Sequence, residues 1–166
     1  EKPVKVYILL GQSNMIGFGR IDPDTVKGTL KYLTLKEGKY PHLLDDDGDW
    51  VKRNDVWYVQ TTVGHRQHWL QPIDEYRHIG PELQFGHIMG QFHDETVLII
   101  KASQGNRSLG WDILPPGSKR FIFDGISYAG YNDSTLSWIE GQPKDPVNWY
   151  AGKQYDDYVR DIHTVL

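Results

Sequence analysis

The chain has 166 residues, no cysteine, a formal net charge of −4 and 13% aromatic residues. So many aromatic residues are not typical of a disordered chain, and without cysteine there is neither a disulfide framework nor a cysteine-based metal site. The mild acidity argues against a nucleic-acid partner, and no run reaches the roughly 20 apolar residues of a membrane span. We expect residues 1–166 to form a single domain.

The first predicted elements are two strands separated by a long excursion. Residues 4–10, VKVYILL, form a short apolar run between a proline and a glycine, which is typical of a buried strand in a parallel sheet. Residues 20–56 are polar and rich in turn signals, and they predict an excursion with room for one hairpin. Residues 56–62, VWYVQTT, predict the second strand, and residues 63–80 predict an irregular loop.

Two amphipathic helices are predicted in the second half of the chain. The first begins at Gly80-Pro81-Glu82, because proline suits the first helical position, where its missing N–H costs nothing. Its apolar face, at helical spacing, consists of Phe85, Ile88, Met89 and Phe92. The second helix follows Tyr150, and its apolar face consists of Tyr155, Tyr158, Val159, Ile162 and Leu166.

The fold class follows from the order of these elements. Residues 96–101, TVLIIK, predict a third buried strand, and residues 107–148 predict mostly irregular structure. Strands alternating with helices predict an α/β fold in which helices wrap a parallel sheet. Ligands of such sheets bind outside the carboxyl ends of the strands.

The residues directly after the first strand are Gly11-Gln12-Ser13-Asn14-Met15. A serine that starts a helix at this place has an outward backbone N–H, which can donate a hydrogen bond to an oxyanion. Serine is also a favoured helix N-cap, and its position alone leaves both interpretations open. The G-x-S-x-G elbow of α/β-hydrolases is absent, because residue 15 is methionine.

Three blocks of the sequence resemble the SGNH hydrolase superfamily, and within it the branch of sialate O-acetylesterases and acetylxylan esterases, carbohydrate esterase family six. The blocks are VYILLGQSNMIGFGR at residues 6–20, IGPELQFG at residues 79–86 and LIIKASQGNRSL at residues 98–109. They occur in the order of that family. The resemblance implies a three-layer α/β/α fold with a mainly parallel sheet, SGNH or flavodoxin-like, incomplete at the C-terminal side of this chain.

The resemblance also implies roles for individual residues. Ser13 matches the nucleophile, whose own N–H is one oxyanion donor, and Gly105 matches a glycine whose N–H is a second donor. Gln12, Asn14 and Glu82 are then supports of the nucleophile loop. Considered alone, Gly105 equally fits a turn that needs a positive φ, and Glu82 equally fits a residue that favours the helix dipole.

The sequence departs from the family at two positions beside Gly105. Asn106 stands where the family often has a second glycine, and Gln104 stands where it often has an aromatic residue. These departures concern the loop that would carry the second oxyanion donor.

The general base that a serine nucleophile needs is not evident in the sequence. None of the seven histidines follows an aspartate by three positions, and neither the D-x-x-H nor the W-x-Q-G block of the family is present. In Asp161-Ile162-His163 the two ionisable residues point to opposite sides of a helix. We expect the chain to be the N-terminal portion of a larger catalytic domain, with the catalytic Asp and His beyond Leu166.

The expected function is a carbohydrate O-acetylesterase that forms an acetyl-enzyme, acts on an acetylated carbohydrate in a secreted or periplasmic setting, and needs no metal or cofactor. His65, His68 and His78 lack a further carboxylate that would complete a zinc site. The alternatives are a non-catalytic carbohydrate-binding or scaffold domain, and an SGNH lipase or thioesterase. Aromatic residues near predicted loops fit either sugar stacking or the core: Trp57, Trp69, Tyr76, Trp111 and Tyr128.

Overall fold

The structure is a computed structural model that describes residues 3–73, 78–144 and 146–166. Its strands are β1 Lys5–Gly11, β2 Gly19–Arg20, β3 Val56–Thr61, β4 Arg66–Trp69, β5 His78–Ile79, β6 Val97–Ser103, β7 Phe121–Phe123, β8 Ile126–Tyr128 and β9 Trp138–Ile139. Its α-helices are α1 Ser13–Ile16, α2 Leu30–Leu35, α3 Glu82–Phe92 and α4 Lys153–His163, and a 3-10 turn lies at Pro41–Leu43.

The main sheet has four strands in the order β1-β6-β3-β4. Strand β6 is parallel to both β1 and β3, and β4 pairs with β3 in the antiparallel direction. The three strands predicted from apolar runs are confirmed within two residues at each end, as is an α/β fold with a mainly parallel sheet. The carboxyl ends of β1, β6 and β3 therefore meet at one edge.

Each face of this sheet carries one of the two long helices. Successive side chains of a strand point to opposite faces, and β6 supplies Val97 and Ile99 to one face and Ile100 and Ala102 to the other. The first pair belongs to a cluster with Leu83 of α3, and the second pair packs with residues of α4. The complete three-layer SGNH arrangement stays a prediction.

The prediction that the first strand is buried is wrong for one of its faces. Val4 and three residues of the β1 segment, Val6, Ile8 and Leu10, are between 38 and 50% exposed. In the described part of the chain, β1 is an edge strand and pairs with β6 alone. On the face of the sheet that carries Val6, Ile8 and Leu10, helix α4 packs over β6. No described helix covers β1 on that face.

The predicted apolar face of the first long helix is confirmed for Phe85 and Met89, which pack against the core, and is wrong for its other two residues. The buried residues of α3 include Leu83, Gly86, His87 and Gly90, whereas Ile88 and Phe92 are exposed. Two glycines on the buried side let the helix approach the sheet closely. A Cβ at Gly86 would lie 2.3 Å from Leu70 Cδ2, and the spacing of large apolar residues gave no sign of that contact.

The second long helix begins at Lys153, three residues after Tyr150, and buries Gln154, Tyr158 and Ile162. Val159 and Leu166 of its predicted face are exposed. Among the described residues, no helix is both long and apolar enough to cross a lipid bilayer.

The segments predicted to be irregular contain short strands that pair with distant partners. Residues 63–80 include β4 and β5, and residues 107–148 include the three-stranded sheet β7-β8-β9. The excursion at residues 20–56 contains helix α2 and a short hairpin-like turn, in which Leu44 pairs with Trp50 in the antiparallel direction. These strands are too short for a periodic pattern, and only their partners define them.

The aromatic residues near the predicted loops mostly serve packing. The rings of Trp57 and Trp69 meet edge to face with centroids 5.0 Å apart, and the rings of Tyr128 and Phe121 stack. Trp111 is 5% exposed and belongs to a small core cluster. Tyr76 lies outside the described residues.

His87 makes the stability of the fold depend on pH. Burial, supported by the positive charge of Arg53, lowers the pKa of this imidazole to about 4, against roughly 6.5 in an unfolded chain. The folded protein thus keeps His87 neutral, and stability is complete above pH 6.5 and is lost as the pH falls towards 4. Between pH 6.5 and pH 5 we expect a loss of about 2 kcal/mol from this residue.

Urea unfolding at both pH values measures this loss when the unaltered protein is compared with the His87→Leu variant. The variant should lose correspondingly less stability over the same interval. An identical pH dependence in the two proteins would contradict the prediction.

Candidate active site

The candidate nucleophile lies in a tight turn at the end of β1. Gln12 is the N-cap of α1, and Ser13 is the first residue of this single helical turn. The Gln12 Oε1 atom accepts hydrogen bonds from the Ser13 backbone N–H at 3.0 Å and from the Ser13 hydroxyl at 2.7 Å. The interpretation of Ser13 as the N-cap is therefore wrong, because Gln12 fills that position.

Two glycines place this turn against the beginning of α3. Gly17 ends α1 with a φ of 88°, and a Cβ there would lie 2.3 Å from the Cα of Gly80. Only glycine combines this backbone conformation with so close a contact. The first and second sequence blocks of the predicted site therefore meet directly.

A buried ion pair joins the same two segments. The Lys101 ammonium at the end of β6 donates to the Glu82 Oε2 atom at 2.8 Å and to the Ile16 carbonyl at 2.9 Å. The side chains of Lys101 and Glu82 are only 1% and 9% exposed. Burial lowers the pKa of Lys101, and the charge of Glu82 opposes that change. The pair therefore connects the strand, the end of α1 and the start of α3.

Glu82 lies at the start of α3 and forms no hydrogen bond with the Ser13 turn itself in the described residues. It is the acidic residue in the first turn of α3, where its Oε1 atom accepts from the Gly80 backbone N–H at 3.0 Å. In the described part of the chain it is linked to the Ser13 turn through Lys101, which bonds to the Ile16 carbonyl. Sequence reasoning missed Lys101 as a support, although a lysine closing the apolar run TVLIIK was a signal that a buried partner exists.

Gly105 lies in the loop that continues β6, next to the Ser13 turn. Residues Gly11 and Ser103 are partners at the end of the β1–β6 ladder, so the two loops leave neighbouring strands side by side. The positive φ of this loop, 55°, belongs to Asn106, and asparagine tolerates that conformation better than most residues. The interpretation of Gly105 as a glycine needed for positive φ is therefore wrong.

The surroundings of Gly105 leave its backbone N–H available. This N–H donates to no residue in the described ranges, and a Cβ at Gly105 would meet only Ile16 Cδ1, at an ordinary 3.8 Å. Neither backbone conformation nor crowding demands glycine here. An open N–H beside the Ser13 turn is what an oxyanion donor needs.

The other residues considered as supports of the nucleophile loop or as catalytic partners form no hydrogen bond with the Ser13 side chain in the described residues. Asn14 is exposed, and its side chain forms no hydrogen bond with the described residues. The Ser13 hydroxyl bonds to Gln12, and no described histidine contacts it. Asp161 receives hydrogen bonds from Thr62 and Arg160 rather than from His163. Within the described ranges, no three His, Asp or Glu side chains are grouped as a metal site.

A cavity of about 180 Å³ lies beyond the far end of α1. Its described lining mixes polar and apolar side chains, among them Phe18, Gln60, Arg66, Leu70, His78 and Lys101. Such a mixture of apolar side chains with a few polar groups is typical of a small-molecule site.

Comparison with known proteins decides the family. The model of one protein family, described as carbohydrate esterase, sialic acid-specific acetylesterase, matches residues 3–124. The chain belongs to this carbohydrate esterase family. No curated protein and no solved structure matches it.

The family match confirms the resemblance found in the three sequence blocks. It includes Ser13, Glu82, Lys101 and Gly105, and it places the protein among carbohydrate esterases, whose substrates are carbohydrates. Helix α4 of this esterase lies outside the matched residues. The roles of individual residues in the esterase are proposed from the geometry.

Proposed function

We propose that this carbohydrate esterase hydrolyses acetyl esters on sugars, with Ser13 as the nucleophile. One observation carries the proposal: Ser13 opens a helical turn at the carboxyl end of β1, beside Gly105 in the loop after the neighbouring parallel strand β6, and the Gly105 N–H donates to no described residue. Ligands of parallel sheets bind at this edge. Both residues lie within the part of the chain that matches the family.

The oxyanion would occupy the place now held by the side chain of Gln12. The Oε1 atom of Gln12 is a carbonyl oxygen at 3.0 Å from the Ser13 N–H, a distance typical of an oxyanion donor. An ester carbonyl must displace this oxygen to reach the same N–H. The N–H of Gly105 would then be the second donor, and each donor contributes about 3–4 kcal/mol to transition-state stabilisation.

The reaction has two halves. The Ser13 hydroxyl loses its proton to a general base and attacks the acetyl carbonyl, and the resulting tetrahedral intermediate expels the sugar oxygen, which takes up a proton. Water then attacks the acetyl-serine and releases acetate. Because no described histidine contacts Ser13, we place the general base on a histidine outside these 166 residues.

A labelling experiment with the full-length protein tests this function. The protein is incubated with an aryl acetate and an acetylated sugar to measure hydrolysis, and with a fluorophosphonate that reacts with activated serines. We expect hydrolysis of both esters and a label on the peptide that contains Ser13, located by mass spectrometry. A label on another serine with hydrolysis retained would refute Ser13 as the nucleophile.

The alternative functions give different results in the same experiment. A non-catalytic carbohydrate-binding domain would bind the acetylated sugar and hydrolyse neither ester. A lipase or thioesterase would hydrolyse esters of long acyl chains faster than either acetyl ester.

A further inference from the structure

The hydroxyl of Tyr158 joins the two loops that carry the candidate oxyanion donors. Tyr158 lies on α4, and its side chain is fully buried. Its hydroxyl donates to the Gly11 carbonyl at 2.7 Å and accepts from the Gln104 N–H at 2.9 Å. Gly11 lies two residues before Ser13, and Gln104 immediately precedes Gly105.

This hydroxyl takes part in the last rung of the β1–β6 ladder. The direct distance from the Gln104 nitrogen to the Gly11 oxygen is 3.4 Å, longer than an ordinary N–H···O bond of 2.7–3.2 Å. The tyrosine oxygen satisfies both groups at shorter distances. It therefore bridges the two loops at the point where they leave the sheet.

The rest of the side chain is held in place by packing. The Tyr158 ring belongs to a buried cluster with Ile100 and Ala102 of β6 and with Ile162 of the same helix. Burial raises the pKa of the phenol, so the hydroxyl stays protonated and remains a donor to Gly11 at neutral pH. A rigid ring with a hydroxyl that both donates and accepts is suited to fixing a distance between two backbones.

We propose that Tyr158 is a positioning residue that sets the separation of the Ser13 and Gly105 amides for binding an oxyanion. The inference rests on the proposed function, and it concerns a residue outside the family match of residues 3–124. Tyr158 contacts neither substrate nor reacting atoms in this role, because it acts through the backbone of Gly11 and Gln104.

The test compares Tyr158→Phe with a matched control, Tyr131→Phe. Both changes remove one phenolic hydroxyl, and that of Tyr131 donates to Asp156 on α4 rather than to either loop. In the full-length protein, Tyr158→Phe should lower kcat for an aryl acetate about 10- to 100-fold, as expected for misplaced groups. KM should change by less than about twofold, because the loss affects the transition state. The control should keep both constants.

Amide hydrogen exchange, followed by NMR, tests the positioning without catalysis. In Tyr158→Phe the Gln104 amide should exchange faster, and the amide resonances of Ser13 and Gly105 should shift, whereas Tyr131→Phe should leave all three unchanged. Unchanged exchange and shifts in Tyr158→Phe, or kinetics equal to those of the control, would overturn the inference. An unaltered protein that hydrolyses no ester would refute the proposed function, and the exchange measurement would still decide whether Tyr158 positions the loops.

Discussion

The Ser13→Ala variant is expected to lose acetyl-ester hydrolysis almost completely, with kcat lowered by about 10³-fold or more. Without the hydroxyl no acetyl-enzyme forms, and the backbone donors alone provide little catalysis. The folded state should change little, because among the described residues this hydroxyl bonds only to the neighbouring, exposed Gln12. We expect the free energy of unfolding to stay within about 0.5 kcal/mol of the unaltered value.

Steady-state kinetics with an aryl acetate and urea unfolding measure these two effects. The control is Ser134→Ala, which removes an exposed serine hydroxyl outside the residues matched to the family. Hydrolysis at an unchanged rate in Ser13→Ala would remove Ser13 from the mechanism. A large loss of stability in that variant would show that the hydroxyl has a structural role.

The Lys101→Met variant is expected to have the largest effect on stability. It leaves the carboxylate of Glu82 buried without its cation, which costs about 3–5 kcal/mol. The carbonyl of Ile16 also loses its donor, so the turn that contains Ser13 loosens. For a protein of this size the melting temperature should fall by about 10 °C.

Two further variants separate charge from packing. Lys101→Met combined with Glu82→Gln leaves no unpaired charge and should recover at least about half of the lost stability. Lys5→Met breaks the partly exposed pair of Lys5 and Glu95 and should cost less than about 1 kcal/mol. Equal unfolding free energies for Lys101→Met and Lys5→Met would contradict the assigned role of the buried pair.

Strands that consist of a compact apolar run were predictable, and the burial of their faces was not. Residues 4–10 indicate a strand because of their own composition. The exposure of Val6 and Ile8 depends on whether a helix covers β1, and in the described residues α4 covers β6 instead. Likewise, the buried side of α3 depends on glycines that permit a close approach, which periodicity of large apolar residues does not report.

The residues of the candidate site also include some that the sequence predicted and some that it did not. Ser13 and Gly105 were found because they stand in local blocks that resemble a family, and the family match confirms that resemblance. Gln12 as the helix cap was missed, because glutamine is not among the favoured N-cap residues. Neither Lys101 nor Tyr158 was found as a support, since each contacts its partner only after the chain has folded.

The sequence by itself determined the three core strands, the family and the place of Ser13 after the first strand, because each of these depends on residues that are neighbours along the chain. Only the tertiary structure decided which groups hold that serine in place. Lys101 reaches Ile16 across 85 positions, and Tyr158 reaches Gly11 across 147. Contacts over such separations depend on the packing of β6 and α4 against the nucleophile turn, and local patterns carry no information about that packing.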